Sequence, residues 1–178
     1  MTREQLAHVL RAASRIAEDP DVLVIGSQSI LGTYAEDELP QAAWMSMEAD
    51  IAFLSDEEGT KAMSVDGAIG ELSTFHQMYA YYSQGVEIEV AVLPEGWRER
   101  LVPFRPQAAL PAEAWCLEKH DLVISKLAAA RHKDMEFSEA LLLAGLVDKS
   151  TLHKRALALS DHHARQRRWV IDWLDRQP

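Results

Sequence analysis

The run Val22-Leu23-Val24-Ile25 leads straight into Gly26-Ser27-Gln28-Ser29 and then Ile30-Leu31, and this junction constrains the fold more than any other stretch. A short, β-branched apolar run predicts a buried strand. The glycine and serine after it predict a tight turn, and the apolar pair beyond predicts the start of a helix. At such a junction unpaired backbone N–H groups and the positive end of a helix dipole favour an anion. Glycine lets the backbone come close to a phosphate. The same residues also suit a plain strand-to-helix turn capped by Ser27.

The flanking sequence supplies the partners that such a strand needs. Thr2 and Gln5 form a capping box, and Leu6, Val9, Leu10, Ala13 and Ile16 recur at helical spacing. The spacing predicts a helix over 3–18, stopped at Asp19-Pro20. Residues 35–45 read as a loop. Glu48–Leu54 predicts a second strand with Asp50, Ala52 and Leu54 on one face and Ala49, Ile51 and Phe53 on the other. A solvated loop and a helix near 61–72 follow. Tyr79–Tyr82, the turn Ser83-Gln84-Gly85 and Val86–Leu93 predict a hairpin. In its second arm Val86, Ile88, Val90 and Val92 form an apolar face, with Glu87 and Glu89 opposite.

From Glu118 onward the pattern is helical, with helices expected around Leu122–Ala130, Phe137–Leu142, 150–159 and 161–175. Strands first and helices later predict an α+β (α/β) fold. We expect one compact unit with a core over 1–117 and a helical region over 118–178 packed on it. At 178 residues the chain suits a single domain. The lone Cys116, in an apolar context, has no disulfide partner and reads as a small buried hydrophobe. The N-terminus lacks the apolar run of a signal peptide, and nothing approaches the ~20 apolar residues of a membrane span, so a cytoplasmic location is expected.

A net charge of −10 argues against indiscriminate nucleic-acid binding. Residues 151–178 nevertheless hold six basic side chains against three acidic ones. Arg165, Arg167 and Arg168, beside Trp169 and Trp173, are candidates for stacking on an RNA. His153, His162 and His163 have no acid or thiol at ligand spacing and read as solvated helix residues. His76 reads as a structural hydrogen-bonding residue.

Chemistry enters with Glu48-x-Asp50. Two residues apart on a strand, both carboxylates point the same way with Cα atoms about 6.6–6.8 Å apart. Such a pair can straddle divalent cations. Glu89, on the polar face of the expected hairpin arm, completes three acids if that arm pairs beside Glu48 and Asp50. Two carboxylates near 4 Å repel by about 4 kcal/mol at an effective dielectric of 20. A cation removes that cost.

Taken together, these pieces resemble the polymerase-β-type nucleotidyltransferase superfamily. Within it the chain is similar to small stand-alone nucleotidyltransferase-like proteins related to the AbiEii abortive-infection toxins. The residues that carry the likeness are Val24–Leu31, Ser46–Ile51, Ile69–His76, Tyr81–Val86 with Glu89, and Asp121–Arg131 with Lys133-Asp134. The resemblance implies a small mixed sheet flanked by helices. It also implies that Glu48, Asp50 and Glu89 hold Mg²⁺ (or Mn²⁺), with Glu89 activating an acceptor hydroxyl. Gly26, Ser27 and Ser29 would bind nucleotide, and Lys126 or Arg131 would neutralise phosphate charge. The implied reaction moves a nucleoside monophosphate from a nucleoside triphosphate to an RNA, protein or small-molecule acceptor, with a cognate antitoxin as partner if the protein is toxin-like. The superfamily usually has Asp at the first acid, where Glu48 adds ~1.5 Å of reach. A catalytically weakened binding or regulatory module, such as a toxin–antitoxin component, is therefore the alternative.

Overall fold

A computed structural model describes residues 1–177. Helix α1 spans Arg3–Ala17, and the capping box forms in both directions between Thr2 and Gln5. Its apolar stripe, Leu6, Val9, Leu10 and Ala13, is buried. Strand β1 is Val22–Val24, buried throughout. The turn after it enters a 3-10 helix, Ser27–Gly32. The expected loop over 35–45 contains a short 3-10 turn and the one-turn helix α2, Gln41–Trp44.

Strand β2, Glu48–Phe53, and helix α3, Thr60–Ile69, lie where the periodicity puts them. The region of the expected hairpin is built differently. Thr74–Tyr79 is helix α4, capped by the Ser73 hydroxyl, and Tyr82–Gly85, read as an arm end and a turn, is strand β3. Beyond it the chain leaves the sheet after Val86 N–H donates to Ile51 O, and Ile88–Val90 forms a 3-10 turn. The alternating Val86–Val92 pattern therefore serves two sides of a wall between cavities and no ladder.

Two further short strands are present, β4 (Val102–Phe104) and β5 (Ala114–Cys116), which the sequence does not announce. The sheet order is β3-β2-β1-β5-β4. β1 runs antiparallel to β2 and parallel to β5, while β2 and β3 are parallel. This is a mixed five-stranded sheet flanked by helices, with a helical C-terminal half. Helices α1 and α3 pack against the β1–β3 side, and α3 meets β3 so closely that a Cβ on Gly85 would lie 1.8 Å from the Ala62 carbonyl oxygen.

The C-terminal half comprises α5 (Lys119–Ala129), α6 (His132–Leu143), α7 (Lys149–Leu157) and α8 (Ala164–Asp175). Helix α5 is its hub, touching α6, α7, α8 and the Ser27–Gly32 turn. Trp173 is buried, and the Trp169 indole N–H donates to the Leu127 carbonyl at 3.0 Å. Both aromatics therefore hold α8 to the core and present no free stacking pair for RNA. His76 is structural as expected, its Nδ1 accepting from the Leu72 N–H at 3.1 Å. Among the described residues no helix is long and apolar enough to cross a membrane.

An ion cluster pins α5 in place. Asp121, fully buried in its first turn, accepts from Arg100 Nε at 2.7 Å and Nη2 at 3.1 Å, and Arg155 Nε of α7 stands 3.1 Å away. Burial pushes the Asp121 carboxyl pKa up, against the pull of both arginines. Removing one partner of a buried ion cluster typically costs 3–5 kcal/mol. Because both arginines keep partial exposure, Asp121→Ala is expected to cost about 3 kcal/mol, read as a lower urea midpoint at unchanged m-value. Cys116, fully buried on β5, has its thiol pushed up to about 12 by desolvation. A thiol reagent at neutral pH should leave native Cys116 untouched and label it fully in denaturant.

Candidate active site

Strand β2 delivers Glu48 and Asp50 to one face of the sheet, as their spacing requires. Beside them Ile25, the residue after β1, donates its N–H to the Asp50 carbonyl at 3.1 Å. The next residue, Gly26, is buried with its backbone against the Asp50 side chain. A Cβ there would lie 1.5 Å from Asp50 Oδ2 and 2.5 Å from its Cγ. Its φ of −90° is open to any residue, so space and not torsion demands the glycine.

Ser27 lines the cleft with Glu48 and Asp50. Ser29 does not reach it: the residue is fully buried, and its hydroxyl donates to the Val24 carbonyl at the end of β1. Ser29 therefore ties the turn to the strand. Gln28 is likewise buried, its amide donating to the Ser46 carbonyl at 2.9 Å.

Across the cleft stands the cationic wall. Lys126 of α5 is buried to 8% exposure, and its Nζ lies 3.2 Å from Asp134 Oδ1. Arg131, in the connection to α6, donates to the same carboxylate from Nε at 2.5 Å and Nη2 at 3.3 Å. Asp134, 2% exposed, thus holds both cations at the cleft. Lys133 adds a third positive side chain to the wall.

The cleft has two lobes. One, of about 350 Å³, is lined by Ser27, Glu48 and Asp50 facing Lys126, Arg131, Lys133 and Asp134. The other, of about 370 Å³, is mainly apolar, with Ile25, Val86, Val90 and Val92 opposite Ser125 and Ala129. Asp50, Gln84, Lys126 and Arg131 line both. Each lobe falls within the ~300–1,000 Å³ usual for small-ligand sites.

Electrostatics mark the acid pair as strained. Burial, more than any neighbour, raises the Asp50 pKa, although Lys126, Arg131 and Lys133 pull it down. Glu48 is raised by burial and then by Asp50. Tyr82, beside Glu48 on β3, is pushed up by burial and by Glu48, Glu71 and Asp50. Its ring packs against His76 with centroids 4.6 Å apart.

Glu89 is not brought to this pair. It sits on the Ile88–Val90 turn and lines a separate cavity with Phe53, Leu54, Asp56, Glu57 and Arg98. The reason is topological, since the chain departs from the sheet before residue 89 and no strand carries that side chain back to β2. Among the described residues no three His, Cys, Asp or Glu side chains group as a preformed metal cage. The position beside Asp50 belongs to Gln84, which the sequence reading put in a turn. Asp134 was also missed as a site residue; its sequence signal is an acid three residues after Arg131 and eight after Lys126.

A family model described as Nucleotidyltransferase of unknown function (DUF6036) matches residues 4–176. No curated protein and no solved structure gives a significant match. The matched span takes in both carboxylates of β2, the glycine turn and the cationic wall. With nearly its whole length covered, the chain belongs to this nucleotidyltransferase family.

Proposed function

We propose that the protein transfers a nucleoside monophosphate from a nucleoside triphosphate to an acceptor hydroxyl, with Mg²⁺ or Mn²⁺ held by Glu48 and Asp50. The observation that carries this reading is the opposition, across one cleft, of an aligned acid pair to the Lys126–Arg131–Asp134 cluster. The donor set suits a hard divalent ion, which prefers carboxylate oxygens. Glu48 hydrogen bonds through its backbone, and the nearby cations Lys126 and Arg131 are engaged by Asp134, leaving the acid pair's oxygens for a ligand. When bound, the cation would neutralise the acid pair and draw charge from the phosphates.

The chain's own residues account for the remaining requirements. Gly26 admits the Asp50 carboxylate and, with Ser27, offers a close backbone approach to phosphate oxygens. Lys126, Arg131 and Lys133 face the charged lobe and suit a pyrophosphate leaving group. Asp134 orients the first two. The acceptor oxygen bonds to the α-phosphorus while the bond from that phosphorus to pyrophosphate breaks, and the hydroxyl proton passes to water. Positioning and charge stabilisation supply most of the rate in such transfers. We take the acceptor to be an RNA, a protein or a small molecule; a toxin-like role with a cognate antitoxin rests on the sequence resemblance alone. Glu89 has no part in this reading.

Thermal unfolding with each triphosphate plus Mg²⁺ or Mn²⁺ tests the proposal. At about 100 times Kd a ligand adds about 2.7 kcal/mol, which for a chain of this length raises Tm by roughly 5–10 °C. Asp50→Ala should abolish the rise. Absence of a shift with every triphosphate favours the weakened, non-catalytic module, and label transfer from a triphosphate that survives Asp50→Ala sinks the assigned site.

The acid pair also sets a pH signature. A carboxyl whose pKa is raised by folding stabilises fully below its ordinary value near 4 and loses that contribution as pH rises through the raised value. With a chelator present, Asp50→Asn should therefore melt above the wild type at neutral pH, and the difference should close below about pH 4. A difference that persists unchanged into acid would contradict the buried-charge account.

A further inference from the structure

β3 runs parallel beside β2 with Gln84 opposite Asp50 and Tyr82 opposite Glu48. Paired residues of neighbouring strands face the same way. On β3 the acid pair therefore has an amide and a phenol as its lateral neighbours. Gln84 is exposed and, with Asp50, lines both lobes of the cleft. Among the described residues, the only other carboxylate lining either lobe is Asp134, which is already engaged by Lys126 and Arg131.

We infer that the cleft takes a single divalent cation, held by Glu48, Asp50 and the amide oxygen of Gln84, while Lys126 and Arg131 supply the positive charge that a second cation would bring. The inference deepens the nucleotidyl-transfer reading and rests on it. Hard cations accept amide carbonyl oxygens as well as carboxylates. Two carboxylates balance one divalent ion. A second ion about 3.5–4 Å away would find no unengaged carboxylate among the described residues that line the two lobes. It would also face the lobe that Lys126, Arg131 and Lys133 already make positive. A neutral third ligand also sets the affinity, because binding strength follows the number of charged ligands.

Titration of the full chain with Mn²⁺ in the absence of nucleotide, followed by the EPR signal of free Mn²⁺, tests this. The wild type should bind one ion. Gln84→Glu should bind roughly tenfold more tightly or take up a second ion, and Gln84→Ala should bind several-fold more weakly. Because residue 84 is exposed, both variants should keep the wild-type circular dichroism and melting behaviour. Two ions on the wild type, or unchanged binding in both Gln84 variants, overturns the inference. Asp50→Asn separates the two levels. If it loses the ion while the Gln84 variants match the wild type, only the role of Gln84 fails. If Asp50→Asn binds like the wild type, or the wild type shows no saturable binding, the nucleotidyl-transfer reading falls with it.

Discussion

Where β1 meets β2, the carboxylate of Asp50 occupies the volume that a side chain on residue 26 would need, with Oδ2 only 1.5 Å from the point where a Cβ would stand. This contact couples two features that would otherwise be separate, a turn leaving one strand and an acid on the next. Antiparallel pairing brings them level, through the bond from Ile25 N–H to the Asp50 carbonyl. Ser29 then locks the turn back on β1 through the Val24 carbonyl. An acid held this way is partly stripped of water, and its proton affinity rises.

The opposite wall depends on two buried acids of the helical half, each shared between two basic side chains. Asp121 fastens the start of α5 to Arg100 and Arg155. Asp134, at the first turn of α6, gathers Lys126 and Arg131. A buried ion cluster is weak evidence for net stability, since desolvation offsets much of the attraction. Its geometry is specific, however. Asp121 sets where α5 lies, and Asp134 sets which way its lysine points. The cleft thus has a sheet-borne acidic side and a helix-borne basic side, joined at Asp50, Gln84, Lys126 and Arg131.

Much of the fold was legible because its signals are local. The Thr2–Gln5 box and the 3.6-residue stripe define α1, and period-two alternation over Glu48–Phe53 defines β2. Failure came where alternation had another cause. Val86, Ile88, Val90 and Val92 repeat like a strand, yet the segment bends into a 3-10 turn, and Val90 is 68% exposed. That error carried Glu89 with it. Strands β4 and β5 are too short to show a period, and their Val-Pro-Phe and Ala-Trp-Cys sequences, unlike that of the equally short β1, form no β-branched run.

The sequence by itself determined the strand–glycine–serine junction, the shared face of Glu48 and Asp50, and the helical character of everything after Glu118. Each follows from neighbours within a few residues, through side-chain alternation, capping and the missing Cβ of glycine. Which side chain lies next to Asp50 was decided only by the tertiary structure. Parallel strands have no short turn between them to set their register. The register of β3 comes instead from long-range packing, with Gly85 pressed on the Ala62 carbonyl and Val86 bonded to Ile51. That packing places an amide beside the acid pair and leaves Glu89 facing a different cavity.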